Sequence, residues 1–365
     1  MSMSDLVRPC VKGLTPYVPG KPIDEVHREF GLTDIIKLAS NENPLGPSPR
    51  AVEAIRAAAA DVRLYPDNDC FALRRALSAH LGIPGEQLLL GHGSDELIHN
   101  IGLAFVAPGD EVMMCCGPFS QYEFTAKLMA AAPVMVPLVD WAYDLPAMAR
   151  ALTPRTKVVF IASPNNPTGT IVRRAELAAF LRALPPTAVL VMDEAYHEYV
   201  DDPDYPDSLA LVREGKNVIV LRTFSKIYAL AGLRLGYGAT TPALAAAMNA
   251  VREPFNVSSL AQVAAVASLA DPEQVTRTVR LNTEAKLTFY AGFDKLGLRY
   301  TRSFANFVWV DLGRDCREVF LELLRLGVIV RTGDIFGAPT HVRVTTGTPE
   351  ENARFLAALG QVLGR

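Results

Sequence analysis

The sequence predicts an α/β fold: a large, doubly wound, mainly parallel sheet of seven strands followed by a smaller α+β unit. Three observations lead there. Seven short runs rich in Val, Leu, Ile and Met recur between residues 87 and 239, helix-like stretches separate several of them, and the texture changes after Pro254. Gln87–Gly91, Glu111–Cys115, Val134–Val139, Lys157–Ala162, Ala188–Met192, Val218–Arg222 and Leu233–Ala239 mostly lack polar alternation. Strands covered on both faces read this way. Asp95–Phe105, Gln121–Ala131 and Arg173–Ala183 read as intervening helices, and strand alternating with helix places a ligand at the carboxyl ends of the strands.

After Pro254 an Ala- and Val-rich helical pattern runs from Ser258 to Leu296, then shorter strands at Ala305–Leu312, Val328–Arg331 and His341–Thr345, and a closing helix from Pro349. Proline suits a first helical turn. Residues 1–35, with prolines at 9, 16, 19 and 22, read as an extended arm. The expected organisation is an arm (1–35), a large α/β domain (36–253) and a small α+β domain (254–365).

With 365 residues the chain exceeds what one core usually serves. Hydrophobic residues make up 50% and charged residues 21%, enough for a core and without the signature of disorder. A net charge of −3 gives no basic footprint, which argues against nucleic-acid partners. The longest apolar run, Leu128 to Val139, is interrupted by prolines and is too short to span a bilayer, which takes about 20 helical residues. The first ten residues have no secretory pattern. Five cysteines without C-x-x-C spacing fit a reduced, cytoplasmic setting and give no metal site.

Three segments fall at or just beyond predicted strand ends: Ser163-Pro164-Asn165-Asn166-Pro167-Thr168-Gly169, Asp193-Glu194-Ala195-Tyr196 and Thr223-Phe224-Ser225-Lys226. Each alone is weak. A lone Ser-Lys is noise and Asn-Asn-Pro-Thr-Gly is an ordinary turn. Together, with Gly93-Ser94-Asp95-Glu96 opening a helix after a strand, they put a lysine, carboxylates and an anion-receiving helix N-terminus at one end of one sheet.

In that order and spacing the segments resemble the fold-type-I pyridoxal 5'-phosphate (PLP) aminotransferases. The resemblance extends to the histidinol-phosphate aminotransferase family through Leu38-Ala39-Ser40-Asn41-Glu42-Asn43-Pro44, Arg63-Leu64-Tyr65-Pro66, Phe119-Ser120-Gln121-Tyr122 and Arg343-Val344-Thr345-Thr346-Gly347-Thr348. It implies Lys226 as the lysine that holds PLP as a Schiff base and moves the substrate proton. Asp193 would face the pyridine nitrogen, and Tyr196 and Asn166 the cofactor's phenolate oxygen. Ser94, Asp95, Thr223, Ser225 and Arg234 would cradle its phosphate. Phe119 stands in the place of the aromatic that covers the ring, but Gly117-Pro118 before it departs from the family pattern and leaves Tyr122 as the other candidate. Tyr65 resembles a tyrosine that reaches the neighbouring subunit's phosphate, which implies a homodimer with shared sites. Tyr17, Arg331 and Arg343 would bind the substrate.

Each residue also has an ordinary structural use: Asp193 as a helix cap, Tyr65 or Tyr196 as a packed aromatic, Arg331 as an ion-pair partner. The implied reaction is amino transfer from L-histidinol phosphate to 2-oxoglutarate. An aromatic-amino-acid aminotransferase or a decarboxylase like threonine-phosphate decarboxylase would keep the same cofactor residues. A PLP-binding transcription regulator would need a helix-turn-helix unit that residues 1–35 cannot house. A nicotinamide dehydrogenase would need G-x-G-x-x-G between a strand and a helix, whereas the glycine-rich run Gly232 to Gly238 has neither that phasing nor that position.

Overall fold

The computed structural model describes residues 6–16 and 20–365. Seven strands form the central sheet: β1 Leu88–Gly91, β2 Glu111–Cys115, β3 Ala132–Val136, β4 Thr156–Ala162, β5 Val189–Asp193, β6 Val218–Thr223 and β7 Gly236–Ala239. Their spatial order is β1-β7-β6-β5-β4-β2-β3, and only β7 runs antiparallel to its neighbours. Successive residues feed two cores. Leu90, Met113, Val159, Ile161, Leu190, Met192 and Val220 face one, while Leu89, Val112, Met114, Phe160, Val191 and Leu221 face the other. This explains the missing polar alternation: on the inner strands both faces have an apolar layer to enter.

Helices Phe71–Leu81, Arg174–Ala183 and Ser259–Leu269 close the first core, and Gly93–Phe105, Ser120–Leu128 and Pro242–Ala250 close the second. A four-stranded antiparallel sheet follows, built from β8 Arg299–Thr301, β9 Phe307–Asp311, β10 Arg331–Thr332 and β11 His341–Thr345 in the order β8-β9-β11-β10. Helices Cys316–Arg325 and Pro349–Leu363 cover it, the latter opened by a capping box between Thr348 and Glu351.

Several expected boundaries move for local reasons. The third strand begins at Ala132 and ends at Val136, because Pro137 has no N–H for the ladder. The seventh begins at Gly236, since Ala231–Leu233 form a 3-10 turn and Arg234 is left-handed at φ 54°. The long helical pattern is two helices, Ser259–Leu269 and Pro272–Lys295, parted at Asp271, whose side chain accepts from the Gln274 amide. Val328–Arg331 divides: Val328–Ile329 pair in parallel with Ile36–Lys37, and Arg331–Thr332 pair with β11.

The arm is not extended throughout. Ile23–Phe30 is an amphipathic helix with Asp24 and Glu25 in its first turn, and Val26 buries against Ile329 and Leu324. Pro22 precedes the helix as its cap residue, where proline does no harm.

Candidate active site

A cavity of about 280 Å³ opens at the carboxyl ends of β4, β5 and β6. Lys226 reaches it because Thr223 ends β6 and turns the chain: the Thr223 hydroxyl accepts from the Ser225 amide at 3.0 Å. The Phe224 amide then donates to Leu235 O, and the Leu230 amide to Phe224 O, both at 3.0 Å, closing the loop on itself. Lys226 Nζ donates to Ser40 O at 3.2 Å and lies 5.8 Å from the centroid of the Tyr196 ring. Burial, followed by the charge of Arg343, lowers its pKa to about 8. An amine so tuned reaches its neutral, nucleophilic form near physiological pH.

Asp193 is the last residue of β5 and only 5% exposed. Tyr122 Oη donates to its Oδ2 at 2.6 Å and the Ala195 amide to its Oδ1 at 3.1 Å. Burial raises its pKa to about 6, opposed first by the Tyr122 hydroxyl and then by the Ala195 amide.

Beside these two groups lies an anion cradle. Gly93 opens helix Gly93–Phe105 at φ 76°, with Ser94 and Asp95 in its first turn, so free amides and the dipole face the cavity. Arg234 Nη2 donates to Asp95 Oδ2 at 3.3 Å and Nη1 to Ala231 O at 3.1 Å. The closeness is built in. A methyl at Gly93 would stand 2.5 Å from Arg234 Nη2, and one at Gly236 would stand 2.3 Å from the Ser94 amide nitrogen. The Asp95 carboxylate, itself an acceptor, faces Arg234. What this residue can offer an anion is its backbone N–H.

On the opposite wall Arg343, from β11, donates to Asn166 Oδ1 and, at 2.6 Å, to Ala39 O. Its guanidinium lies near the rings of Phe307 and Phe336, at 5.4 and 5.9 Å. Arg331 lines the same cavity. Beyond Phe119, Asn166, Arg331 and Arg343 a second hollow of about 410 Å³ continues, bordered by Thr15, Pro16, Phe124, Ile335 and Phe336.

The structure thus gathers Lys226, Asp193, Tyr196, Asn166, Ser94, Asp95, Phe119, Thr223, Ser225, Arg234, Arg331 and Arg343 around one space. Both aromatic candidates for covering a ring line the cavity: Tyr122, buried, stacks on Phe160 at 4.4 Å and donates to Asp193, and Phe119 is partly buried. Tyr65 does not line the cavity. It is 83% exposed and stacks on Phe255 at 4.8 Å. Tyr17 lies outside the described residues.

Sequence reasoning assigned no role to Asn41. This residue, left-handed at φ 56°, donates through Nδ2 to Tyr196 Oη at 2.8 Å and accepts through Oδ1 from Thr345 Oγ1 at 3.0 Å. With Ala39 and Ser40 offering their carbonyls to Arg343 and Lys226, residues 39–41 form a spine along the site. The available signal was an asparagine in a short polar run, the residue type that most readily tolerates a left-handed backbone after glycine.

The donor set fits a phosphorylated pyridine aldehyde. It offers an amine of lowered pKa, a buried carboxylate, an arginine and helix N-terminus crowded together, and an aromatic face in Phe119. Described residues include no group of three or more His, Cys, Asp or Glu arranged to hold a metal ion.

Comparison with known proteins agrees. Residues 33–359 match the family model for class I and II aminotransferases. Histidinol-phosphate aminotransferases of Moorella thermoacetica and Symbiobacterium thermophilum are 53% and 49% identical to the chain, over 98% of it in both cases and over 92% and 99% of their own lengths. The crystal structure of a histidinol-phosphate aminotransferase from Sinorhizobium meliloti in complex with pyridoxal-5'-phosphate superposes with a TM-score of 0.92 at 31% identity, covering 100% of this chain and 99% of that one. A lysine, a buried carboxylate and an arginine-lined cradle at the strand ends, shared fold and near-complete coverage by close relatives lead to one conclusion: the chain belongs to the class I and II aminotransferases, among the histidinol-phosphate aminotransferases.

Proposed function

We propose that the protein is a PLP-dependent aminotransferase that moves the amino group of L-histidinol phosphate to 2-oxoglutarate, giving imidazole acetol phosphate and L-glutamate. The observation that carries this is the placement of Lys226, Asp193 and Arg234 on one cavity that Arg331 and Arg343 also line. Bound PLP supplies an electron sink for the charge that develops at the substrate's α-carbon.

The chain supplies the rest. The Ser94 and Asp95 amides, Thr223, Ser225 and Arg234 bind the phosphate, and Asp193 keeps the ring nitrogen protonated by charge pairing. Tyr196, oriented by Asn41, and Asn166, oriented by Arg343, present polar atoms to the cofactor's phenolate oxygen. Phe119 covers the ring. Lys226, whose amine borders the cavity, would hold the cofactor and, when free, would take up and give back the proton of the substrate α-carbon as general base and acid. Arg343 and Arg331 receive the substrate's anionic end, with Tyr17 a candidate on the arm.

Residues 36–253, with helix Ser259–Leu269 packed into their core, serve in this reading as the cofactor-holding body, and the residues from Pro272 onward bring Arg331 and Arg343. Tyr65, exposed and outside its own cavity, fits a role in the site of a second copy in a homodimer. A cytoplasmic setting is consistent with five free cysteines, and no described helix is long and apolar enough to cross a membrane.

The apolar border of the second hollow, with Phe124, Ile335 and Phe336, also suits an aromatic amino acid, the competing donor. A side-by-side rate comparison with histidinol phosphate, phenylalanine and threonine phosphate, each with 2-oxoglutarate and with carbon dioxide monitored, decides between them. A wide preference for phenylalanine overturns the proposed donor, and carbon dioxide release overturns the reaction type.

A further inference from the structure

Tyr122 has no assigned part in the reaction, yet its surroundings are more constrained than filling a core requires. Its ring stacks on Phe160 of β4 at 4.4 Å and 5°, and the Phe119 ring meets its edge at 5.7 Å and 81°. The ring is thereby clamped, and its hydroxyl ends 2.6 Å from Asp193 Oδ2. The other Asp193 oxygen accepts from the Ala195 amide. Each oxygen of the carboxylate therefore has one fixed protein donor, which holds the carboxylate plane still while Asp193 borders the cavity.

The balance of charge matters as much as the plane. Burial works to neutralise Asp193, and the Tyr122 hydroxyl is the largest opposing influence. A neutral carboxylic acid is a poor partner for a protonated ring nitrogen, because the attraction between opposite charges is lost. Removing the donor leaves Ala195 alone against burial.

We propose that Tyr122 is a positioning residue for the cofactor's pyridine nitrogen: acting through Asp193, its hydroxyl fixes and keeps ionised the carboxylate that pairs with that nitrogen. The inference rests on the reading of Asp193 as the nitrogen's partner. It differs from a packed tyrosine whose hydroxyl happens to be satisfied, since Tyr122→Phe keeps the ring, the stack on Phe160 and the burial, and loses one donor.

The test is binding to the cofactor-free protein of PLP and of its analogue with C–H in place of the ring nitrogen, followed by quenching of protein fluorescence. Wild type should prefer PLP to the analogue. Tyr122→Phe should weaken PLP by tenfold or more while changing the analogue by less than twofold. Equal weakening of both ligands, or of neither, overturns the inference. Asp193→Ala, run in parallel, separates the two levels: if it leaves the preference for PLP intact, the reading of Asp193 fails, and with it the premise. Should Tyr122→Phe not fold, a fluorinated tyrosine at 122 keeps the ring and strengthens the donor. The preference for PLP then rises, and an unchanged preference overturns the inference.

Discussion

Arg343 donates one N–H to Asn166 Oδ1 and another to Ala39 O, so a residue of the small sheet holds in place a side chain from the loop after β4. Under the proposed function the same guanidinium that orients Asn166 would also read the substrate's anion. Arg343→Lys keeps the charge and loses the planar fork. It should lower kcat/KM for both half-reactions by about 10- to 100-fold, the scale of one or two charge-assisted hydrogen bonds. Steady-state kinetics with each substrate in turn checks this, and a loss confined to one half-reaction contradicts the shared role.

Lys226 and Arg343 are also coupled by charge, since Arg343 is the second cause, after burial, of the lysine's lowered pKa. The neutral amine is the form that captures an aldehyde. Uptake of PLP by the cofactor-free protein should rise about tenfold per pH unit below pH 8 and level off above it, whereas an ordinary lysine would keep rising toward pH 10. Arg343→Gln removes a neighbouring positive charge, which favours the ammonium form, so its inflection should move upward. Rapid-mixing absorbance across pH 6–10 reads both, and Lys226→Ala should leave no link that borohydride can trap.

The cavity positions of Asp193 and Lys226 were legible because they sit at or just beyond the end of an apolar run, where the strand pattern itself fixes location. Asn41 was not, because the atom that gives it meaning, Tyr196 Oη, lies 155 residues away in the chain and its other partner, Thr345, 304 residues away. Contacts of that separation leave no periodic trace. The helix Ile23–Phe30 was hidden differently: nearby prolines argue for extended chain, and its apolar stripe of Ile23, Val26 and Phe30 spans only two turns.

Asp193 carries a cost that should appear in the cofactor-free protein. Its folded pKa is raised from 3.8 to about 6. The sign follows from proton linkage: stability due to this group is full below pH 3.8 and is lost as pH rises through about 6. At pH 8 the buried charge costs on the order of 2–3 kcal/mol. Asp193→Asn should therefore raise the Tm of the cofactor-free protein at pH 8, with the gain shrinking toward pH 4, and lower the Tm of the PLP-loaded protein. A Tm gain independent of pH contradicts the assignment.

Tyr65 tests the shared site. A Tyr65→Phe chain and a Lys226→Ala chain should each be impaired alone, and if Tyr65 serves the neighbouring subunit's site, a mixed dimer contains one site with both residues intact. Activity should return in part on mixing and refolding. Absence of recovery, with heterodimers demonstrated, places Tyr65 outside the neighbouring site and leaves its stack on Phe255 as its use.

In the proposed function specificity rests on the arginine pair. Histidinol phosphate presents a phosphate where glutamate presents a carboxylate, so one site has to receive both anions, and guanidinium forks suit both geometries. Arg343 and Arg331 are opposite each other in register, on adjacent strands β11 and β10, and both line the cavity. A carboxylate has two oxygens and is served by one fork; a phosphate has more oxygens and more charge, and engages a second. Arg331→Gln should accordingly lower kcat/KM for histidinol phosphate more than for phenylalanine, with a difference of about 1–3 kcal/mol, the scale of a lost hydrogen bond to a charged group. The measurement is a pair of specificity constants for wild type and variant with each donor. Equal losses remove Arg331 as the phosphate reader and leave Arg343 to carry both anions.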